Sequence, residues 1–241
     1  MNEKEFNLLH EPWIKVMRPD GETEEVSLLD VFRRAPEFRG LAGELPTQDV
    51  AVLRLLLAVL HAVFGRYAPD GTYAPIHSDA DPRPSPGDAL KRWKALWDRG
   101  AFPMEVIEDY LTHYEERFWL FHPERPFYQV AGLIKATEYN AAKLNGELSE
   151  SNNKIRLVPQ RAGSEKEKGS YSEAARWLLH VNAFDDTSSK PKTSGLPSPG
   201  AGWLGKLGLI VADGRNLFET LMLNLIFIKD SGKELWDKEK P

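Results

Sequence analysis

The sequence has no cysteine in 241 residues. Disulfide cross-links, thiolate metal sites and thiol nucleophiles are therefore excluded, and a reducing compartment, the cytoplasm, is the expected location. Met1 to Phe6 is charged where a secretory leader is basic and then apolar. No apolar run approaches the roughly 18 residues of a membrane span. The longest tract, 52–64, carries Arg54 and His61 and reads as a core helix, so no membrane partner is expected. Catalytic fingerprints are missing as well. There is no phosphate-binding GxxxxGK[ST] loop and no GxSxG elbow. Gly200, Gly202, Gly205 and Gly208 follow no strand and precede no acidic ribose partner. His10, His61, His113, His122 and His180 are scattered without metal-ligand spacing, and Glu115 and Glu116, adjacent on a helix, point apart. Only His77, Asp79 and Asp81 gather ligand-type side chains, in a proline-rich loop over 68–88. They support one alternative reading, a stand-alone metal-dependent enzyme. Otherwise no cofactor and no catalytic residue is expected, and a binding protein is favoured over an enzyme.

What the sequence does have is large apolar volume. The hydrophobic fraction is 41%, with seven tryptophans and eleven phenylalanines, enough for one large domain or two small ones. Residues 12–28 place short strand-like runs around Pro19-Asp20-Gly21 and predict a β-hairpin with Trp13 near its start. A short helix over 27–35 follows, capped by Ser27, and then a long one capped by Thr47 and stopped by Gly65, with Leu57 at its centre. Residues 88–100 put Leu90, Trp93 and Trp97 on one helical face, and Pro103 suits the first position of the next helix. Residues 117–130 are aromatic strand-like pieces broken by Pro123 and Pro126, and helices follow over 170–184 and 216–228. The fold class is α+β: mostly helical, with an N-terminal β-hairpin and short irregular strands in a single large domain.

Charge is unevenly spread. The chain carries −5 overall, but residues 154–206 hold nine lysines and arginines against five acids, a local +4 that leaves −9 for the rest. A basic segment in an acidic body suits a local polyanion contact.

Several stretches, taken in order, resemble one family, the large subunit (CasA) of the type I-E CRISPR surveillance complex, Cascade. They are FNLLHEPWIKV (6–16), VSLLDVF (26–32), LPTQDVAVLRLLLAVLHAVFG (45–65), RFWLFHPERPFYQV (117–130), SEAARWLLHVNAFD (172–185), GWLGKLGLIVADGRNLFETLMLNLI (202–226) and ELWDKEKP (234–241). No one of them is specific alone; their order is. The resemblance implies that residues 1–241 correspond to the N-terminal part of the subunit's large domain, without the family's C-terminal four-helix bundle. It implies a non-catalytic role in antiviral defence. Its partners would be the other Cascade subunits, the CRISPR guide RNA, target double-stranded DNA and a recruited helicase-nuclease.

The resemblance also implies sites. The family's glycine-rich loop, which reads the protospacer-adjacent motif in the DNA minor groove, falls on Thr187, Ser188, Ser189 and Lys190, running into Lys192. Hydroxyl side chains stand there in place of the usual glycines. A second loop, which touches the guide's 5′ handle and the duplex, falls on 152–169, with Lys154, Arg156, Leu157, Val158, Gln160 and Arg161. Its tip has Leu157 where the family carries an aromatic, so stacking gives way to charge. Both loops, rich in glycine, proline, serine and lysine, are expected to be the least protected backbone of the isolated chain.

Overall fold

Short strands open the chain and helices build the rest. In order these are β1 (Glu5–Asn7), β2 (Ile14–Met17), β3 (Thr23–Val26), α1 (Leu28–Arg33), β4 (Gly40–Leu41), α2 (Pro46–Phe64), α3 (Pro86–Trp97), α4 (Met104–His113), β5 (Trp119–Phe121), α5 (Ala141–Leu144), α6 (Tyr171–Phe184) and α7 (Leu217–Asn224), with short 3-10 turns between some of them. The structure is a computed structural model and describes residues 3–77, 85–132, 140–145, 161–184, 202–205 and 207–227.

The hairpin forms where the turn residues put it. Strands β2 and β3 pair antiparallel from Ile14 opposite Val26 to Met17 opposite Thr23. Between them the Gly21 amide donates to the Arg18 carbonyl, and Gly21 takes φ +88°, a conformation that costs a side-chain-bearing residue more. Ile14 and Val16 point into the core and alternate with half-buried Lys15 and Met17, so one face of the sheet is dry. Strand β4 adds to β2, and β1 pairs separately with β5, bringing Asn7 opposite Trp119. Trp13 is fully buried, and its indole donates to the Leu8 carbonyl.

Ser27 caps α1 as expected: its hydroxyl accepts the Asp30 amide. Thr47 does not cap α2. The helix starts one residue earlier, at Pro46, whose missing N–H loses nothing there. Thr47 lies inside the first turn, where its hydroxyl meets His180 Nε2 at 3.0 Å. The first-turn side chains of α2 reach backwards instead: Gln48 accepts the Glu44 amide and Asp49 the Gly43 amide.

Helix α2 is the axis of the core. By length and composition it could cross a membrane, but most of its residues are buried against other elements of the chain, as for a core helix. Leu56, Val59, Leu60, Val63 and Phe64 are all 0% exposed, whereas Leu57 is only half-buried. Helices α4, α6 and α7 pack on it, and every helix but α5 gives the same continuous core a buried or half-buried apolar side chain.

Two buried arginines tie this core to the chain around it. Arg92 of α3 donates to the carbonyls of Phe64 (2.8 Å), Tyr67 and Ala74 (2.7 Å). It thus satisfies acceptors at the C-terminal end of α2, where the helix dipole also favours a cation. Arg176 of α6 donates to both oxygens of Glu44, to Glu25 and to the Trp13 carbonyl, joining α6 to the hairpin and to the loop before α2.

Other boundaries shift. On α3 the buried face runs through Arg92 and Leu96, with Trp93 and Trp97 stacked beside it (rings 5.1 Å apart), while Leu90 is 66% exposed. Pro103 is the residue before α4, not its first. Helix α7 stops at Asn224, short of the expected 228. Around it, Leu207, Leu209, Ile210 and Val211 face solvent in an extended segment.

Candidate nucleic-acid interface

Helix α6 carries the geometry of the candidate site. Its 14 residues span about 20 Å at 1.5 Å per residue. At its N-terminal end, Arg161 Nη2 bonds Glu173 Oε1 at 2.7 Å, and Nη1 donates to the Lys168 carbonyl. A 3-10 helix over Gly163–Glu167 follows Arg161, and the Asn145 amide donates to the Lys166 carbonyl at 2.9 Å. Asn145 and Arg161, the residues that bracket 146–160, are thereby held close to one another and to the start of α6.

At the other end of α6, Gly202 lies against the last turn. A Cβ there would sit 2.5 Å from the Ala183 carbonyl oxygen and 2.6 Å from the Phe184 nitrogen, so only glycine permits this approach. The Leu204 amide donates to the Ala183 carbonyl at 2.7 Å. Phe184 and Gly202, which bracket 185–201, therefore meet. The two segments that the family resemblance assigns to nucleic acid spring from opposite ends of one helix. Gly202→Ala is expected to pry this junction open, at about 1–3 kcal/mol. A thermal melt that matches the parent's would contradict the close approach.

Most of the expected contact residues fall outside the described residues: Lys154, Arg156, Leu157, Val158, Gln160, Thr187, Ser188, Ser189, Lys190 and Lys192. Arg161 is described, and it differs from the expectation of a free cation. Its guanidinium is committed to Glu173 and Lys168, because the chain returns to α6 at this point and α6 offers a carboxylate. Residues 161–169 are likewise an ordered 3-10 turn and linker, not part of an unsupported loop.

One pair was not singled out from the sequence. The exposed Arg54 guanidinium lies 4.3 Å from the ring centroid of Trp203, which is itself 45% exposed and follows Gly202 directly. A cation and an aromatic face thus stand beside the junction that holds 185–201, a combination that suits phosphate and base contacts. The signal in the sequence was the single arginine interrupting the apolar tract of α2.

His77 lies where it serves no described metal site. Both ring nitrogens are buried without a hydrogen-bond partner among the described residues, and the ring packs 6.4 Å from that of His61. Asp79 and Asp81 lie outside the described residues, and no group of three metal-ligating side chains occurs among those described.

Comparison with known proteins agrees with this architecture. The profile of the family described as CRISPR-associated protein Cse1 (CRISPR_cse1) matches residues 7–241. CRISPR-associated protein CasA/Cse1 of Thermus thermophilus is 34% identical over 235 residues, covering 97% of this chain and 42% of that protein. The crystal structure of Thermobifida fusca Cse1 superposes with a TM-score of 0.68 at 34% identity, covering 92% of this chain and 39% of that one. A chain of a CRISPR RNA-guided surveillance complex, pre-nicking, has the same fold, with a TM-score of 0.72 at 23% identity over 99% of this chain and 47% of that one. The chain thus spans about two fifths of the length of its curated relative. With a matching profile over nearly all of its length and the same fold as the solved structures, this chain belongs to the Cse1 (CasA) family of CRISPR-associated proteins.

Proposed function

We propose that this chain works in a CRISPR surveillance complex as a non-catalytic part of its large subunit, in the cytoplasm. Residues 152–160 contact the 5′ handle of the guide RNA and the adjoining duplex, chiefly through Lys154 and Arg156. Thr187, Ser188, Ser189, Lys190 and Lys192 enter the minor groove of target double-stranded DNA at the protospacer-adjacent motif. The partners are the other Cascade subunits, the guide RNA, the DNA and the helicase-nuclease that the assembly recruits.

The observation that carries this reading is the anchoring of both segments at opposite ends of α6. A separation of about 20 Å lets one rigid element address two different nucleic-acid partners at once. Arg54 and Trp203 add a cation and an aromatic beside the second segment. The basic balance of 154–206 against an acidic remainder supports the same reading.

The test is a Lys190→Ala, Lys192→Ala double variant in the reconstituted complex with the full-length subunit. Duplex affinity is expected to fall. The slope of log K against log salt should drop by about two units, near 0.9 per lost phosphate contact. Guide-RNA assembly should be unchanged. An unaltered slope and affinity would show that this segment is only a connector.

A further inference from the structure

A concavity lies away from α6, beyond the C-terminal end of α2. It is a cleft of about 500 Å³ between the turn at 67–71 and helix α4. Two ridges of α4 and the residue that caps it line the cleft at i, i+4 spacing: Glu105, Asp109 and His113 on one, Val106, Tyr110 and the capping Tyr114 on the other. Tyr67, Asp70 and Gly71 close the opposite wall. No lysine or arginine is among the lining residues.

The aromatic wall is ordered. The rings of Tyr110 and Tyr114 lie 5.0 Å apart, and Tyr67 packs edge-on to Tyr73 at 5.5 Å. The turn that carries Asp70 is fixed as well: the Gly71 amide donates to the Ala68 carbonyl, Gly71 takes φ +85°, and the Asp70 carboxylate accepts the Thr72 amide at 2.9 Å. Hydrogen bonds from Thr72 hold the Asp70 carboxyl below its usual range, so it is ionised at neutral pH.

Two of the three acids of the cleft lack an ion-pair partner among the described residues, whereas Asp70 feels the positive charge of Arg92. Glu108, one position from Asp109 but facing away, pairs with Arg33. Glu105 and Asp109 make no ion pair among the described residues, although like charges four apart on a helix repel. The nearby Arg92 directs its hydrogen bonds to the carbonyls of Phe64, Tyr67 and Ala74, and its charge reaches only Asp70 among the acids that line the cleft. A concave, tyrosine-walled site rimmed by three carboxylates, two of them without an ion pair among the described residues, fits a cation with a flat apolar face. Guanidinium has that shape, stacks on aromatic rings and is weakly hydrated, whereas an ammonium is compact and holds its water.

We propose that this cleft is a docking site for an arginine side chain presented by a protein partner. Nucleic acid is repelled by the same carboxylates, so the site is separate in kind and place from the α6 interface and does not depend on that reading.

The test is an amide-shift NMR titration of the whole chain with Nα-acetyl-arginine methylamide at pH 7.5, against the isosteric, uncharged citrulline analogue. Saturable shifts confined to 67–71 and 105–114 are expected with the arginine probe and not with citrulline. A Glu105→Gln, Asp109→Asn double variant changes only exposed side chains and should keep the parent's thermal melt, while weakening the arginine probe roughly fivefold to tenfold. The absence of saturable shifts in the cleft, equal response to citrulline, or undiminished binding by the double variant would each overturn the proposal. So would shifts in the cleft on adding a short DNA duplex.

Discussion

Leu56→Asp is expected to leave no folded protein at all. Leu56 is 0% exposed in the middle of α2, with core on every side. Truncating a buried leucine costs about 2–5 kcal/mol through lost transfer energy and the cavity left behind. An unpaired carboxylate in that cavity adds a desolvation penalty of several kcal/mol more. The sum is comparable to the whole stability of a domain, about 5–15 kcal/mol. Leu57→Asp should be much milder, because Leu57 is half-buried and its carboxylate can turn toward water. Circular dichroism of the two variants is the check. A cooperative melt for Leu56→Asp near the parent's would refute the placement of α2 as the core axis.

Arg176→Met is expected to lower stability by about 3 kcal/mol, the lower end of the range for removing one partner from a buried ion pair. The lower end applies because the two carboxylates left behind keep some water: their side chains are 35% exposed at Glu25 and 18% at Glu44, against 3% for Arg176. At about 2–4 °C per kcal/mol for a chain of this size, the melting temperature should drop roughly 6–12 °C. A drop under about 2 °C would mean that the pair contributes little.

The same variant should change the response to acid. Burial pushes the Glu44 carboxyl up, but hydrogen bonds and charge from Arg176 outweigh it and hold the group below its usual range. A carboxyl depressed in the folded state contributes stability that is complete above its unfolded value and is lost as pH falls through its folded value. The parent should therefore lose stability on acidification through and below the ordinary carboxylate range, about pH 4. Asp49 works the other way. Burial raises its carboxyl, so its ionised form weakens the fold at neutral pH, and acid relieves that cost. In Arg176→Met the Asp49 effect and the repulsion between Glu25 and Glu44 remain at this site, while depressed carboxyls elsewhere, such as Asp70, titrate alike in variant and parent. Melting temperature against pH should be flatter in the variant, or rise toward acid. Parallel profiles for variant and parent would contradict the linkage.

The family was legible because its evidence is linear. An ordered set of short motifs survives in the sequence whatever their contacts are. The hairpin at Pro19-Asp20-Gly21 and the Ser27 cap were equally legible, since a turn or cap is decided within about four residues. Where the expectations missed, a distant partner made the choice. Thr47 has the right chemistry for a cap, yet Pro46 before it suits the first helical position and His180, 133 residues away, takes its hydroxyl. Leu90 fits an apolar face with the two tryptophans. Helix α3 is rotated so that Arg92 can reach the carbonyls at the end of α2, and Leu90 turns outward.

The candidate nucleic-acid interface divides in the same way. Composition alone placed a basic segment in an acidic chain, and the family resemblance named residues in it. The sequence by itself thus determined the fold class, the family and the segments that carry positive charge, all properties of residue type and order. Only the tertiary structure decided that Arg161 is spent on Glu173, that Gly202 must be glycine to close against Ala183, and that Arg54 and Trp203 stand together. It alone placed three tyrosines and three acids from residues 67–114 around one cleft. The physical reason is range: a turn, a cap or a charge count is fixed by neighbours along the chain. Whether a charged side chain is free, paired or stacked depends on which distant element arrives beside it.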